Sequence, residues 1–464
     1  MNKDKTDLGK GSIGRLLFSL ALPAIIAQLV NVLYNIIDRI FIGRMPAGEL
    51  AIAGVGVAFP ILMIVSAFSA LIGMGAAPLA AIKMGEKDND GAEKIMSNSF
   101  SSLIIVGIIL TVGFLIFKTP ILRAFGATNE TIFYAESYLS IYLLGTICVQ
   151  IALGMNTFIT TQGFAKIAMT TVMIGAIINI ILDPIFIFGL NMGVKGAAFA
   201  TVIGQTVSAI WVLKFLFGKK SILKIRKKYL KPEMKIMLGV MALGISPFIM
   251  QATESLVIIT MNNQLLKYGG NLSVSAMTIM SSIMQIIILP VMGLTQGAQP
   301  IISYNYGAKN IDRVKKCFKL LLVCSVMYTG IMWAVAMLNP EIFVRIFNTN
   351  PELIKITSWS MNIFFAGIFI FGAQMACQQT FLALGQAKIS LILALLRKMV
   401  LLVPLALILP KFFENKLMGV LCAEPISDIV AATTTIICFI IFYKKTLSKM
   451  VIEEKIEEKE LIDN

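Results

Sequence analysis

The sequence predicts an all-α integral membrane protein with twelve transmembrane helices in two pseudo-symmetric six-helix lobes. Three observations predict it. Of 464 residues, 57% are hydrophobic and only 14% charged, whereas soluble domains carry about 45–50% apolar and about 25% charged residues. Twelve apolar runs are each long enough to cross a bilayer. The two halves of the chain also repeat one another at a near-constant offset. A soluble chain this apolar would expose large sticky patches, so a soluble enzyme, a disordered protein and a secreted disulfide scaffold are excluded. The 25 acids are so few that each one inside an apolar run needs a reason.

A helix crossing a hydrocarbon core of about 30 Å needs about 20 apolar residues. The runs fall near 13–37, 49–82, 96–117, 132–155, 167–190, 196–217, 234–262, 273–303, 317–338, 353–380, 389–410 and 417–443, here spans 1 to 12. Spans 2 and 8 are long enough to tilt, kink or project past the bilayer. Span 1 is too long for a signal peptide and lacks a small-residue cleavage pattern. The expected organisation is a cytoplasmic N-tail (1–12), an N-lobe (13–217), a basic linker (218–233), a C-lobe (234–443) and a cytoplasmic C-tail (444–464).

Basic residues set the orientation. Of the 40 Lys and Arg, 28 fall on the side that holds both termini and ten on the other, so both termini are expected in the cytoplasm of a bacterial inner membrane. The net charge of +15 is then a topology signal rather than a nucleic-acid signal. Nine basic residues lie between Lys214 and Lys235, a stretch read as the cytoplasmic linker between halves. Cys148, Cys317, Cys324, Cys377, Cys422 and Cys438 sit in or beside apolar runs without CxxC spacing and read as small buried side chains. With no histidine, a zinc site or histidine relay is not expected.

The repeat is specific. Gly75, Pro78, Gly85, Lys87 and Lys94 recur 222 residues on as Gly297, Pro300, Gly307, Lys309 and Lys316, and Gly163 and Lys166 recur as Gly385 and Lys388. Six spans per copy, an even number, make the copies parallel, related by an axis along the membrane normal. Such pairs place a substrate site at the midplane between rocking halves. No filter sequence or charged ring suggests a channel, and no GxxxxGK[ST] loop suggests an ATP-driven pump. Without HExxH or GxSxG, an enzyme is not expected either.

The polar residues inside spans carry the functional reading. Gln28, Asn31, Asn35 and Asp38 share one face of span 1. Asp38 and Arg39 point about 100° apart on a helix, so the arginine does not face its neighbour. A charge at the bilayer centre costs about 2.5–3.5 kcal/mol on insertion scales, so Asp38 should face protein or water. Asn179 and Asp183 lie i, i+4 in span 5, before Pro184, and Thr201 and Gln205 lie i, i+4 in span 6. These are hard oxygen donors suited to sodium, while an Asp alone can carry a proton; Asn179 and Thr201 also suit plain interhelical hydrogen bonds. In the second half stand Gln251 and Glu254 in span 7, Gln374 and Gln378 in span 10, and Glu424 and Asp428 in span 12. Arg397 and Lys398 lie inside span 11 and call for an acidic partner, Glu424 or Asp428, as a structural or a gating pair. The 27 Met and 29 Phe permit a broad, adaptable cavity.

Four segments carry a family resemblance: LALPAIIAQLVNVLYNIIDRIFIGR in span 1, GAAPLAAIKMGEKD after span 2, NIILDPIFIFGLNMGVKGAAFATVIGQ over spans 5 and 6, and GLTQGAQPIISYNYGAKN in the second half. The chain resembles the multidrug and toxic compound extrusion (MATE) family, most of all its bacterial members, over nearly its whole length. That resemblance implies cation-coupled antiport by alternating access, exporting organic, often cationic, compounds in exchange for Na⁺ or H⁺ with no further cofactor. It implies an N-lobe cation site on Asp38, Asn179, Asp183 and Thr201, the Na⁺ ligands if sodium is the coupling ion. Glu254 matches an acid that some members carry on the seventh helix. The tenth-helix acid of others is replaced by Gln374 and Gln378, which shifts coupling toward the N-lobe. A lipid-linked precursor flippase of the same superfamily is the alternative, but it would need a cationic cavity. Nothing demands more than a monomer, a nucleic acid partner is not expected, and the acid-versus-base chemistry leaves Na⁺ and H⁺ both open.

Overall fold

The computed structural model describes residues 7–348 and 350–447, so the expected C-tail beyond residue 447 lies outside the described residues. The described chain is helical, with no strand among the described residues. The first half contains spans 1 (Ile13–Gly43), 2 (Gly48–Gly85), 3 (Asn89–Ala124), 5 (Ala165–Gly189) and 6 (Val194–Leu216). Span 4 is a pair of helices, Ile132–Leu144 and Thr146–Thr161, bent by 63° where they meet. The second half opens with an apolar run, Met234–Gly307, that Gly270 divides: its φ of 68° and ψ of −170° are not helical. Spans 7 and 8 are therefore residues 234–269 and 271–307. Spans 9 (Ile311–Leu338), 10 (Pro351–Ala383), 11 (Ala387–Lys411) and 12 (Lys416–Lys445) follow. Twelve spans result among the described residues, as the hydrophobic runs predict, with a short extra helix at Pro340–Phe347.

The repeat is written into the backbone. Lys87 and Lys309, 222 residues apart, both adopt left-handed φ, 62° and 59°. Each is followed by a side-chain cap: Asp88 accepts from Gly91 N at 2.8 Å and Asn310 accepts from Arg313 N at 3.3 Å. These caps satisfy amides that the first helical turn leaves without partners. The equivalent residues Gly163 and Gly385 both take positive φ, 85° and 74°.

Two compact units form. The first contains Leu22–Gln251 and so takes in the basic linker and the first part of span 7; the second contains Ala252 onward together with Leu8–Ala21. Hydrogen bonds account for these borrowed segments. In the first unit Gln162 Oε1 accepts from Ile222 N at 2.7 Å and Leu223 N at 2.9 Å. Asn98 donates to the Tyr229 carbonyl at 2.9 Å and accepts from Glu233 N at 2.5 Å. In the second unit Asn305 donates to the Leu8 carbonyl and Arg313 to the Gly11 carbonyl, both at 2.9 Å. Each unit thus grips the segment that leads into the first helix of the other half.

Helices approach closely where they carry glycine. In the first unit a Cβ on Gly204 would lie 2.8 Å from the Gly175 carbonyl oxygen, so spans 5 and 6 touch backbone to backbone. Small residues drive this kind of packing between membrane helices, because apolar burial alone gives no preference for protein over lipid. Gly204→Val should lower the melting temperature of the purified protein, since overpacking costs about 1–3 kcal/mol. Gly113→Ala, at a site with nothing within 4 Å of an added Cβ, should leave it unchanged.

Candidate functional site

The contact between Gly175 and Gly204 sets the geometry of a polar cluster one turn away. Asn179 and Asp183 lie on span 5, and Thr201 lies on span 6; all three are buried. The Asn179 amide bridges them: its nitrogen donates to Asp183 Oδ2 at 3.3 Å and its oxygen accepts from Thr201 Oγ1 at 3.2 Å and Thr201 N at 3.3 Å. Thr201 Oγ1 lies 3.0 Å from the carbonyl of Ala197. Immediately after Asp183 and Pro184 the helix widens into a π turn, Ile185–Gly189. Such turns recur at functional sites because they expose backbone groups.

Span 1 completes the cluster. Asp38 is buried, and its carboxyl meets that of Asp183. Arg39 points elsewhere, stacking 5.1 Å above the Phe59 ring. Asp38 Oδ1 is buried without a hydrogen-bond partner. Two carboxyls in contact cannot both carry an unshielded charge; a shared proton or a cation must separate them. The set offers two carboxylates, one amide oxygen and one hydroxyl. Among the described residues no group of three or more His, Cys, Asp or Glu is placed to hold a metal ion. Carboxylate, amide and hydroxyl oxygens are hard donors of the kind that suit Na⁺, and a carboxyl can instead hold a proton.

The other span 1 residues contribute unequally. Asn35 is half-buried and donates to the Asn31 carbonyl at 2.6 Å. Asn31 is exposed and Gln28 half-buried. Gln205, one turn after Thr201, is half-buried. Two tyrosines escape the sequence reading. Tyr34 lies within electrostatic reach of Asp38 and Asp183, and Tyr138 of span 4 reaches both Thr201 and Asp38. The i, i+4 spacing of Tyr34 and Asp38 is a signal that could have found the first; nothing in the sequence marks the second.

The second unit holds a different cluster. Arg397 Nε lies 2.7 Å from Asp428 Oδ1 and Nη2 3.4 Å from Glu424 Oε1, the pairing its depth calls for. Lys398 is not part of that pair: its ammonium is ion-paired with Glu254 of span 7. The reason is helical divergence, the same that separates Asp38 from Arg39. Gln374 and Gln378 are buried in span 10. Gln251 belongs to the first unit and Glu254 to the second.

The basic linker is more than a count of charges. Arg226 grips the buried Glu93 of span 3 through Nε at 2.6 Å and Nη2 at 3.1 Å, and Lys94 pairs with Glu233 at 2.8 Å. Glu93 raises the Arg226 guanidinium above its ordinary value.

Two related helical halves with a buried carboxylate pair define a multi-span membrane protein of the transporter type. The family model MatE matches twice, over residues 23–185 and 247–408, one match to each half of the repeat. The chain therefore belongs to the MatE family. It is 27% identical over 91% of its length to the multidrug export protein MepA of Staphylococcus haemolyticus, covering 92% of that protein. It is 26% identical over 88% of its length to MepA of Staphylococcus aureus, covering 89%. A crystal structure of MATE in the bent conformation superposes with a TM-score of 0.90 at 24% identity, covering 98% of this chain and 99% of the other. That likeness shows the fold.

One consequence concerns stability. Asp38→Asn removes one of two like charges in contact, so in sodium-free buffer near pH 8.5 it should melt higher than the wild type. Thermal unfolding of both proteins in detergent checks this; an equal or lower melting temperature would mean that the carboxyls do not repel.

Proposed function

We propose that the protein is a multidrug antiporter of the cell membrane, exporting organic, often cationic, compounds in exchange for Na⁺ or H⁺. Both termini face the cytoplasm, as the distribution of Lys and Arg requires. The observation that carries this reading is the contact of Asp38 with Asp183 beside Asn179 and Thr201. The family and the MepA relatives, named as multidrug export proteins, support the substrate class.

The physical logic is differential affinity. A cation or proton that enters between the two carboxyls removes their repulsion and stabilises the arrangement in which they meet. It therefore shifts the equilibrium between outward- and inward-facing states by as much as its affinity differs between them. Drug release accompanies the shift in one direction and drug uptake from the cytoplasm or inner leaflet the other. Pro23 in span 1 and Pro184 in span 5 free backbone carbonyls and supply bending points. A divalent cofactor has no part in this scheme; the coupling ion is cargo.

Ethidium efflux from vesicles under an imposed sodium or proton gradient tests the proposal. Wild type should extrude the dye under one of the two gradients. Asp38→Asn and Asp183→Asn should each abolish extrusion at unchanged expression, and normal efflux in either variant would sink the assignment.

A further inference from the structure

Five charged side chains of the second unit meet in one place: Glu254, Arg397, Lys398, Glu424 and Asp428. Their roles divide. Arg397 is fixed by Asp428 at 2.7 Å and Glu424 at 3.4 Å, its guanidinium lies 4.8 Å above the Phe371 ring, and its carbonyl accepts from Ser427 Oγ at 3.0 Å. Lys398 is held by one acid, Glu254. It also lies within electrostatic reach of Glu424 and Asp428. Accessibility divides the cluster the same way: the Glu254 side chain is 50% exposed, that of Lys398 12% and that of Asp428 1%.

Two features are unexplained by a static ion pair. Three acids face two bases, so with all five groups ionised the cluster carries one excess negative charge among membrane-spanning helices, where charge is costly. In addition, Asp428 Oδ2 is buried with no hydrogen-bond partner, although a buried acceptor normally has one. Both features are resolved by a third cation. If it pairs with the accessible Glu254, the cluster becomes neutral, and the displaced ammonium of Lys398 needs an acceptor. Asp428 Oδ2 is that acceptor. A lysine suits the task because its charge sits on a flexible four-carbon stem with three rotatable donors, whereas the forked Arg397 stays where two acids hold it. The backbone beneath both is a π turn, Leu396–Leu402.

We propose that Lys398 is a tethered cation that occupies Glu254 in the empty protein and withdraws to Asp428 when an organic monocation takes its place. The proposal rests on reading the chain as an exporter of organic cations and deepens it, by naming the residue that competes with substrate. A compound without positive charge gains nothing at Glu254, so the lysine also discriminates by charge.

Equilibrium binding of tetraphenylphosphonium to the purified full chain tests this. Lys398→Met should bind the probe on the order of tenfold more tightly, the gain expected if the lysine holds Glu254 for about nine-tenths of the time. Asp428→Asn, which weakens the refuge for the lysine, should bind more weakly than wild type. Adding Glu254→Gln to Lys398→Met should erase the gain. A lysine serving structure alone would give equal or weaker binding in Lys398→Met. That result, with wild type still binding, overturns the proposal and leaves the export reading standing. No binding by wild type or Lys398→Met overturns both.

Discussion

Two carboxyl groups in contact inside a helical unit are the constraint around which the first half of the protein is arranged. Asp38 and Asp183 come from helices far apart in sequence; Arg39 acts on Asp38 only at a distance, with its guanidinium over the Phe59 ring. The carboxyl contact costs energy that the surrounding structure must offset. It does so with the Asn179 amide, which donates to Asp183 and accepts from Thr201, and with the glycine contact that brings spans 5 and 6 together. Bulk at Gly204 would push Thr201 away from Asn179 and release Asp183. A destabilised pair of this kind is useful only if something relieves it, and a monovalent cation or a proton is the simplest relief.

The two halves share a backbone plan and differ in charge. Matching positions keep left-handed lysines, helix caps and glycines of positive φ. At the cluster level the plan diverges. Toward the end of the repeat the offset becomes 223, as in Gly196 and Gly419 or Ala200 and Ala423, which makes Glu424 and Asp428 the mates of Thr201 and Gln205. There the acids are ion-paired from within by Arg397, a permanent cation, whereas in the first half Arg39 acts on Asp38 only at a distance. One scaffold thus supports one cluster built around a carboxyl pair and one whose acids are ion-paired by Arg397.

Much of this was legible in the sequence because charge is expensive in an apolar chain. Asp38, Asn179, Asp183 and Thr201 stood out by scarcity and by i, i+4 spacing, and the structure brings all four together. The partnership of Arg397 with Glu424 and Asp428 was legible for the same reason. The route of Lys398 to Glu254 was not, because it depends on how two neighbours diverge on a helix and on which helix each then meets. The grip of Gln162, Glu93 and Asn98 on the basic linker left no periodic trace, since it joins residues some 60 to 135 positions apart. Tyr138 was hidden too, one tyrosine among ten.

Cation entry between Asp38 and Asp183, if obligatorily linked to drug movement, must show as a flux opposed to that of the drug. Counterflow measures it most directly. Proteoliposomes carrying the wild-type protein are given a tetraphenylphosphonium gradient and no ion gradient, and internal sodium and pH are followed. One of the two ions should move against the drug, and this movement should disappear in Asp183→Asn. Drug flux through the wild type with neither sodium nor protons moving in return would contradict it.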